Sequence, residues 1–239
     1  MFDILNGRRQ MIRISVKHDL DKMIAKIGSI GRDQLPFATA KALTKTAQAV
    51  QRAMPEALER ALDRPTEFTK RGTFIVPARK DTLQAIVGFK DRQAEYMQYQ
   101  IEGGVRQPKK KALRLPGEVV LNEFGNIPKG TIARLIQAAK AGKYGAVVKR
   151  RLGIGDRRKG AGDLSLFYGQ PAGHPTLPVG IWRRLPGRPG RIVPVIVFPK
   201  QAAHYRPRFR FREMVERVVR AEFPQQFAVA FDEAMRTAR

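Results

Sequence analysis

Cysteine is absent from all 239 residues, which excludes disulfides, thiolate zinc sites and cysteine nucleophiles. The fold must hold by packing, and the composition suits a reducing cytoplasm. Long apolar runs are missing as well. The longest, residues 192–198, is interrupted by Pro194, and Met1-Phe2-Asp3-Ile4-Leu5-Asn6-Gly7-Arg8-Arg9 lacks the apolar stretch of a signal peptide. Neither export by that route nor a membrane span is expected. Acidic residues are scarce: 21 Asp and Glu face 46 Lys and Arg, a formal charge of +25. Such a chain repels itself unless something acidic lies opposite for part of its life. Nucleic acid, an acidic lipid surface and an acidic protein ring all satisfy that need, and the charge total does not choose among them.

Catalytic patterns are also missing. His18, His174 and His204 share no short spacing and do not form a zinc-type ligand set on a helix, so structural roles are the better reading. No nucleophile-elbow signature occurs. Gly155-Asp156-Arg157-Arg158-Lys159-Gly160 has the glycine spacing of a phosphate loop, but Ala161 stands where the essential lysine belongs. No catalytic residue, metal ligand or cofactor site is assigned, and the chain is not expected to be an enzyme.

What is present is enough apolar sequence for a core, with 43% hydrophobic residues over a length that suits one large domain or one domain with an arm. Residues 12–16 alternate apolar and polar as a strand does, and a helix over 19–30, closed by Gly28 and Gly31, carries Leu20, Met23, Ile24 and Ile27. Asp33 and Pro36 open a longer helix in which Leu43, Ala47, Val50, Met54, Leu58 and Leu62 step by three or four, the spacing of one buried stripe. Pro55 is expected to kink or split it. Residues 73–78 and 82–89 form a hairpin about Arg79-Lys80-Asp81, with Leu83, Ala85, Val87 and Phe89 on one face.

A short helix over 93–101 ends at Gly103-Gly104, and residues 105–117 are exposed and basic. A strand over 118–121, a turn at Gly125-Asn126 and a helix over 128–141 with Ile132, Leu135, Ile136 and Ala139 inward come next. Residues 142–190 are rich in Gly, Pro and Arg, which suits a long loop or arm that orders against a neighbour. Short strands fall at 164–168 and 179–182, and a longer one at 191–198 whose Pro194 demands an edge or a bulge. The end, 211–238, is helical by spacing, with Pro224 expected to divide it. The expected fold is α+β: N- and C-terminal helices on a small, mostly antiparallel sheet. It comprises a lead over 1–10 and one domain over 11–239 with a basic arm at 142–190.

The basic runs are the strongest physical signal. Residues 143–159 hold seven cations against Asp156, and residues 164–212 hold nine with no acid. Arg206, Arg208, Arg210 and Arg212 alternate with Pro207, Phe209 and Phe211, so in an extended chain the arginines share one face. Such a ribbon suits phosphates, with steep salt dependence, or the carboxylates of a neighbouring subunit. The protein interface is the favoured reading, because no helix-turn-helix, zinc finger or RNA-stacking motif accompanies the charge.

Several phrases, in order, resemble the minor tail protein Z family of tailed phages. They are Leu35-Pro36-Phe37-Ala38 with Ala40, Ala42-Leu43 and Thr44; Arg64-Pro65-Thr66-Glu67-Phe68-Thr69; and Tyr96 with Gln98-Tyr99-Gln100-Ile101, Gly103-Gly104 and Arg106. Then come Lys111-Ala112-Leu113 and Pro116, Leu121-Asn122 with Phe124-Gly125-Asn126-Ile127-Pro128-Lys129-Gly130, Gly180-Ile181-Trp182-Arg183-Arg184, and Tyr205-Arg206-Pro207-Arg208-Phe209. They extend over about residues 11–220, and the lead lies outside them. The resemblance implies a structural virion protein of tail completion and head–tail joining at the neck, without catalysis. Its implied partners are the tail tube, the tail terminator and the head–tail connector, within a homo-oligomeric ring assembled in the host cytoplasm, with DNA in the lumen as a further contact. Expected interface residues are Arg106, Asn122, Phe124, Asn126, Arg183, Arg184, Arg206, Arg208 and Arg210. The alternative is a basic nucleic-acid-binding protein that contacts the phage genome.

Overall fold

A computed structural model describes residues 2–6, 10–15, 29–108, 112–141, 166–185 and 190–237. The fold is α+β, with a long helix toward each terminus and small antiparallel sheets. The chain falls into two compact units, Met1–Gly104 with His204–Arg239, and Val105–Ala203. This is a finer division than the one domain over 11–239 that the sequence suggests.

In the first unit a four-stranded antiparallel sheet has the order β1-β2-β4-β3, formed by Phe2–Asn6, Gln10–Ser15, Gln84–Phe89 and Thr73–Val76 respectively. The lead at 1–10 therefore contributes a strand: Phe2 pairs with Ile14 and Asn6 with Gln10. Strand β4 buries Ala85, Val87 and Phe89, and β2 buries Ile12 and Ile14, as their alternation requires. Against this face packs helix α1 (Ser29–Ala61), whose Leu43, Ala47, Val50, Met54 and Leu58 are fully buried. Residues 19–28 lie outside those described. From Ser29 the chain is already in α1, which runs on through Gly31 instead of ending there.

Pro55 does not split α1. Proline removes one backbone donor and costs roughly 3 kcal/mol in a helix interior, but Met54 and Leu58 on either side are fully buried in the core and hold the turn. Two buried threonines in α1 are satisfied locally, Thr39 Oγ1 donating to the Leu35 carbonyl at 2.7 Å and Thr46 Oγ1 to that of Ala42 at 2.8 Å. Two shorter helices, α2 (Glu67–Lys70) and α3 (Asp91–Ile101), flank the hairpin. Helix α3 ends as expected, with Gly103 at φ 75°.

In the second unit, β6 (Leu115–Pro116), β9 (Ile192–Val197), β8 (Gly180–Arg184) and β7 (Leu166–Gly169) form an antiparallel sheet in that order. Helix α4 (Thr131–Ala141) supplies Leu135 to a core shared with Val119, Leu166, Ile181, Val195 and Ile196. Pro194 sits at the expected bulge: Ile181 pairs with Ile196 but Trp182 with Pro194, so Val195 is the extra residue. The strand expected over 118–121 is instead irregular. The ladder stops at Pro116, although the Gly117 and Glu118 N–H groups still donate to the Val195 and Pro194 carbonyls. Of the arm expected at 142–190, residues 142–165 and 186–189 lie outside those described. The remainder carries β7 and β8, close to the short strands expected there.

Strands β5 (Gly104–Arg106) and β10 (Ala203–Tyr205) make a separate two-stranded sheet. Helix α5 (Phe211–Thr237) follows and is continuous through Pro224, where a division was expected. Phe223, Phe227 and Phe231 stack at i, i+4 and i+8 with centroids 5.9 Å apart, spanning the turn that proline weakens. Small residues let α1 and α5 approach closely, with Ala38, Ala42, Ala230 and Ala234 all buried at the crossing.

Candidate interaction surfaces

In the first unit the arginine ribbon has the alternation its sequence implies. Phe209 and Phe211 are 3% exposed, while Arg206, Arg208 and Arg210 face solvent. The aromatic side is anchored by Phe89, whose ring lies 6.4 Å from Phe209 and 5.3 Å from Phe211. The backbone is fixed where the Arg208 and Phe209 N–H groups both donate to the Gln100 carbonyl, at 2.7 and 2.9 Å. Gly103 closes the approach, since a Cβ there would stand 2.9 Å from the Tyr205 carbonyl. Three guanidinium groups are thus carried on a rigid strip, and none has an ion-pair partner among the described residues.

The strip ends where Phe211 begins α5 and Arg212 turns to Glu216, its Nε 2.9 Å from Oε1. A groove of about 570 Å³ beside Arg210 also holds Glu102 and Glu213, and Glu102 Oε1 accepts from Gln10 Nε2 at 3.1 Å. Near Arg208 lies Asp63. The hydrogen bond and charge of Arg64 hold its carboxyl below the usual range, and Arg208 lowers it further. Removing the three strip arginines as R206Q/R208Q/R210Q is expected to change stability by less than about 0.5 kcal/mol, because each is exposed and unpaired. Chemical denaturation checks this, and a loss above 1 kcal/mol would show that the strip is structural.

In the second unit Asn122 organises the loop that carries the expected residues Phe124 and Asn126. Its Oδ1 accepts the N–H groups of Phe124 at 3.1 Å and Asn126 at 2.8 Å. Its own N–H donates to the Asn126 carbonyl at 2.9 Å, while Gly125, at φ 71°, donates to the Asn122 carbonyl. Asn122 is therefore the loop's internal fastening, and Asn126 is carried exposed. Asn122→Ala is expected to cost about 1 kcal/mol and to speed amide exchange at Phe124 and Asn126, whereas Asn122→Asp retains the acceptor. Unchanged exchange in the alanine variant would contradict this assignment.

The loop borders an open groove of about 700 Å³, walled by Pro116, Ile127, Ile132 and Ile136 and carrying Arg114 and Lys129. Sequence reasoning did not single out this pair; the signal for it is the absence of any acid from 105–117 together with Pro128-Lys129-Gly130. Of the other expected contacts, Arg183 has an internal partner. It is 11% exposed and forks onto Glu118, with Nε and Nη2 each 2.9 Å from a carboxylate oxygen. Arg184 lies over the Phe167 ring at 5.1 Å, and Arg106 belongs to β5.

Among the described residues no group of three or more His, Cys, Asp and Glu is placed to hold a metal ion, and His174 and His204 are exposed and apart in sequence. His18 lies outside the described residues. No described helix is long and apolar enough to cross a membrane. Comparison with family models, curated proteins and solved structures finds no match.

Proposed function

We propose that this chain is a structural protein of a tailed-phage virion, acting in tail completion and head–tail joining at the neck. The observation that carries the reading is the ordered series of phrases that resemble the minor tail protein Z family. Those phrases coincide with features that have definite structural tasks here. Thr66 caps α2, Asn122 fastens its loop, and Tyr205 to Phe209 leads into and forms the arginine strip. A neck protein joins neighbours in a ring, and a row of exposed arginines without ion-pair partners among the described residues suits carboxylates of an adjoining tail or connector subunit. In this reading no residue has a catalytic role.

The test is electron microscopy of particles assembled with and without the protein, all other components being matched. Tails absent, defective at the head-proximal end or unable to join heads are the expected result. Normal, infectious particles lacking the protein would overturn the reading.

A further inference from the structure

The division into units redistributes the charge. Met1–Gly104 with His204–Arg239 holds 26 Lys and Arg against 17 Asp and Glu, whereas Val105–Ala203 holds 20 against 4. The smaller unit therefore carries a surplus of 16 of the chain's 25 positive charges. Its described part has nine cations and two acids, Glu118 and Glu123. Glu118 is occupied by Arg183, at 2.6 Å between the nearest atoms.

No acid lines the 700 Å³ groove of this unit, where Arg114 and Lys129 are both exposed and have no ion-pair partner among the described residues. A third cation borders it: Arg134 Nη2 lies 3.5 Å from the position a Cβ would take at Gly130, one of the groove's lining residues.

We propose that the unit Val105–Ala203 binds the phosphodiester backbone of duplex DNA, with Arg114 and Lys129 as contacts in its groove. Among the described residues the unit holds nine cations against two acids, a surplus of seven, and its groove has cations and no acid. Protein interfaces are depleted in lysine, whereas duplex DNA presents one negative charge per roughly 1.7 Å of axis and so matches exposed cations that have no acid beside them. The groove wall favours duplex over single strands. It is built from proline and isoleucine with no aromatic side chain, so it offers bases no stacking platform and leaves phosphates as the recognised group.

This inference does not rest on the tail-completion reading, and it assigns the DNA contact to the unit that does not contain the Arg206–Arg210 strip. The experiment is a titration of the full chain against a labelled random-sequence duplex and the matching single strand, between 50 and 200 mM salt. Log affinity for the duplex should fall linearly with log salt, with a slope of about 0.9 per phosphate contact. R114Q/K129Q should lower that slope by about 1.8, while R206Q/R208Q/R210Q leaves it unchanged. The charge-preserving R114K/K129R should keep the wild-type slope, and thermal unfolding of each variant separates lost contacts from lost fold. No duplex binding at 50 mM salt, an unchanged slope in R114Q/K129Q, tighter binding of the single strand, or a loss confined to the strip variant would each overturn the proposal. Any of these would leave the electron-microscopy test of tail completion standing, and normal particles in that test would leave DNA binding standing.

Discussion

Phe89→Ala is expected to remove about 3–5 kcal/mol of stability, the largest effect of any side-chain truncation considered. Phe89 is fully buried at the end of β4 and is the common neighbour of Phe209 and Phe211. Truncation loses the transfer free energy of a phenyl ring and leaves a cavity that a sheet on one side and a long helix on the other have little freedom to close. A domain's whole stability is roughly 5–15 kcal/mol, so the variant should unfold at much lower denaturant, with the slope of the transition unchanged.

There is a functional consequence as well. Phe209 and Phe211 are the buried half of the alternation that holds Arg208 and Arg210 outward, so losing their shared neighbour should loosen the strip. Amide exchange at Arg208 and Phe209, whose N–H groups share the Gln100 carbonyl, reads this directly. Phe89→Leu refills most of the space and should cost much less. A loss below 1 kcal/mol in Phe89→Ala would show that the aromatic cluster is not what fixes the strip.

Much of this was legible in the sequence, for identifiable reasons. The stripe from Leu43 to Leu58 repeats at helical spacing over four turns, and every member named in it is fully buried. The hairpin alternation placed Ala85, Val87 and Phe89 inward, and Pro194 marked its bulge. The misreadings share a cause. Local rules close a helix at Gly31, and Pro55 and Pro224 invite a break, but α1 and α5 bury long faces against each other and against the sheet, so tertiary contact keeps each helix continuous. Strand β1 was unreadable because Phe2–Asn6 lacks strict alternation and is a strand by virtue of pairing with β2.

The surface followed the same logic. The strip was visible because alternation is a local property of the chain. The ion pair of Arg183 was not visible because its partner, Glu118, lies 65 residues away, and no local pattern announces a pair that only the β6–β9–β8 sheet brings together. The basic runs over 105–117, 143–159 and 164–212 were visible, but how they divide between the units depends on where the chain leaves the first unit and where it returns.

Gly117→Ala should be nearly as damaging to the second unit as Phe89→Ala is to the first, although it adds only a methyl group. A Cβ at Gly117 would stand 2.1 Å from the Pro194 carbonyl oxygen and 2.7 Å from its carbon, both backbone atoms that cannot rotate aside. To make room, the segment after β6 must move away from β9. That movement breaks the hydrogen bonds from Gly117 N–H to the Val195 carbonyl and from Glu118 N–H to the Pro194 carbonyl, 2.9 and 3.0 Å long. It also shifts Glu118, the partner of Arg183. Overpacking against fixed backbone costs about 1–3 kcal/mol, and two lost hydrogen bonds add about 1 kcal/mol each. The expected total is therefore about 3–5 kcal/mol. Relief should come from the neighbouring strand and not from a smaller side chain, since glycine is already the smallest. Pro194→Gly, which frees the β9 backbone, should recover part of the loss in the double variant. Differential hydrogen exchange over 113–119 and 192–198 would follow both effects, and wild-type protection in Gly117→Ala would show that the sheet edge yields more easily than its geometry requires.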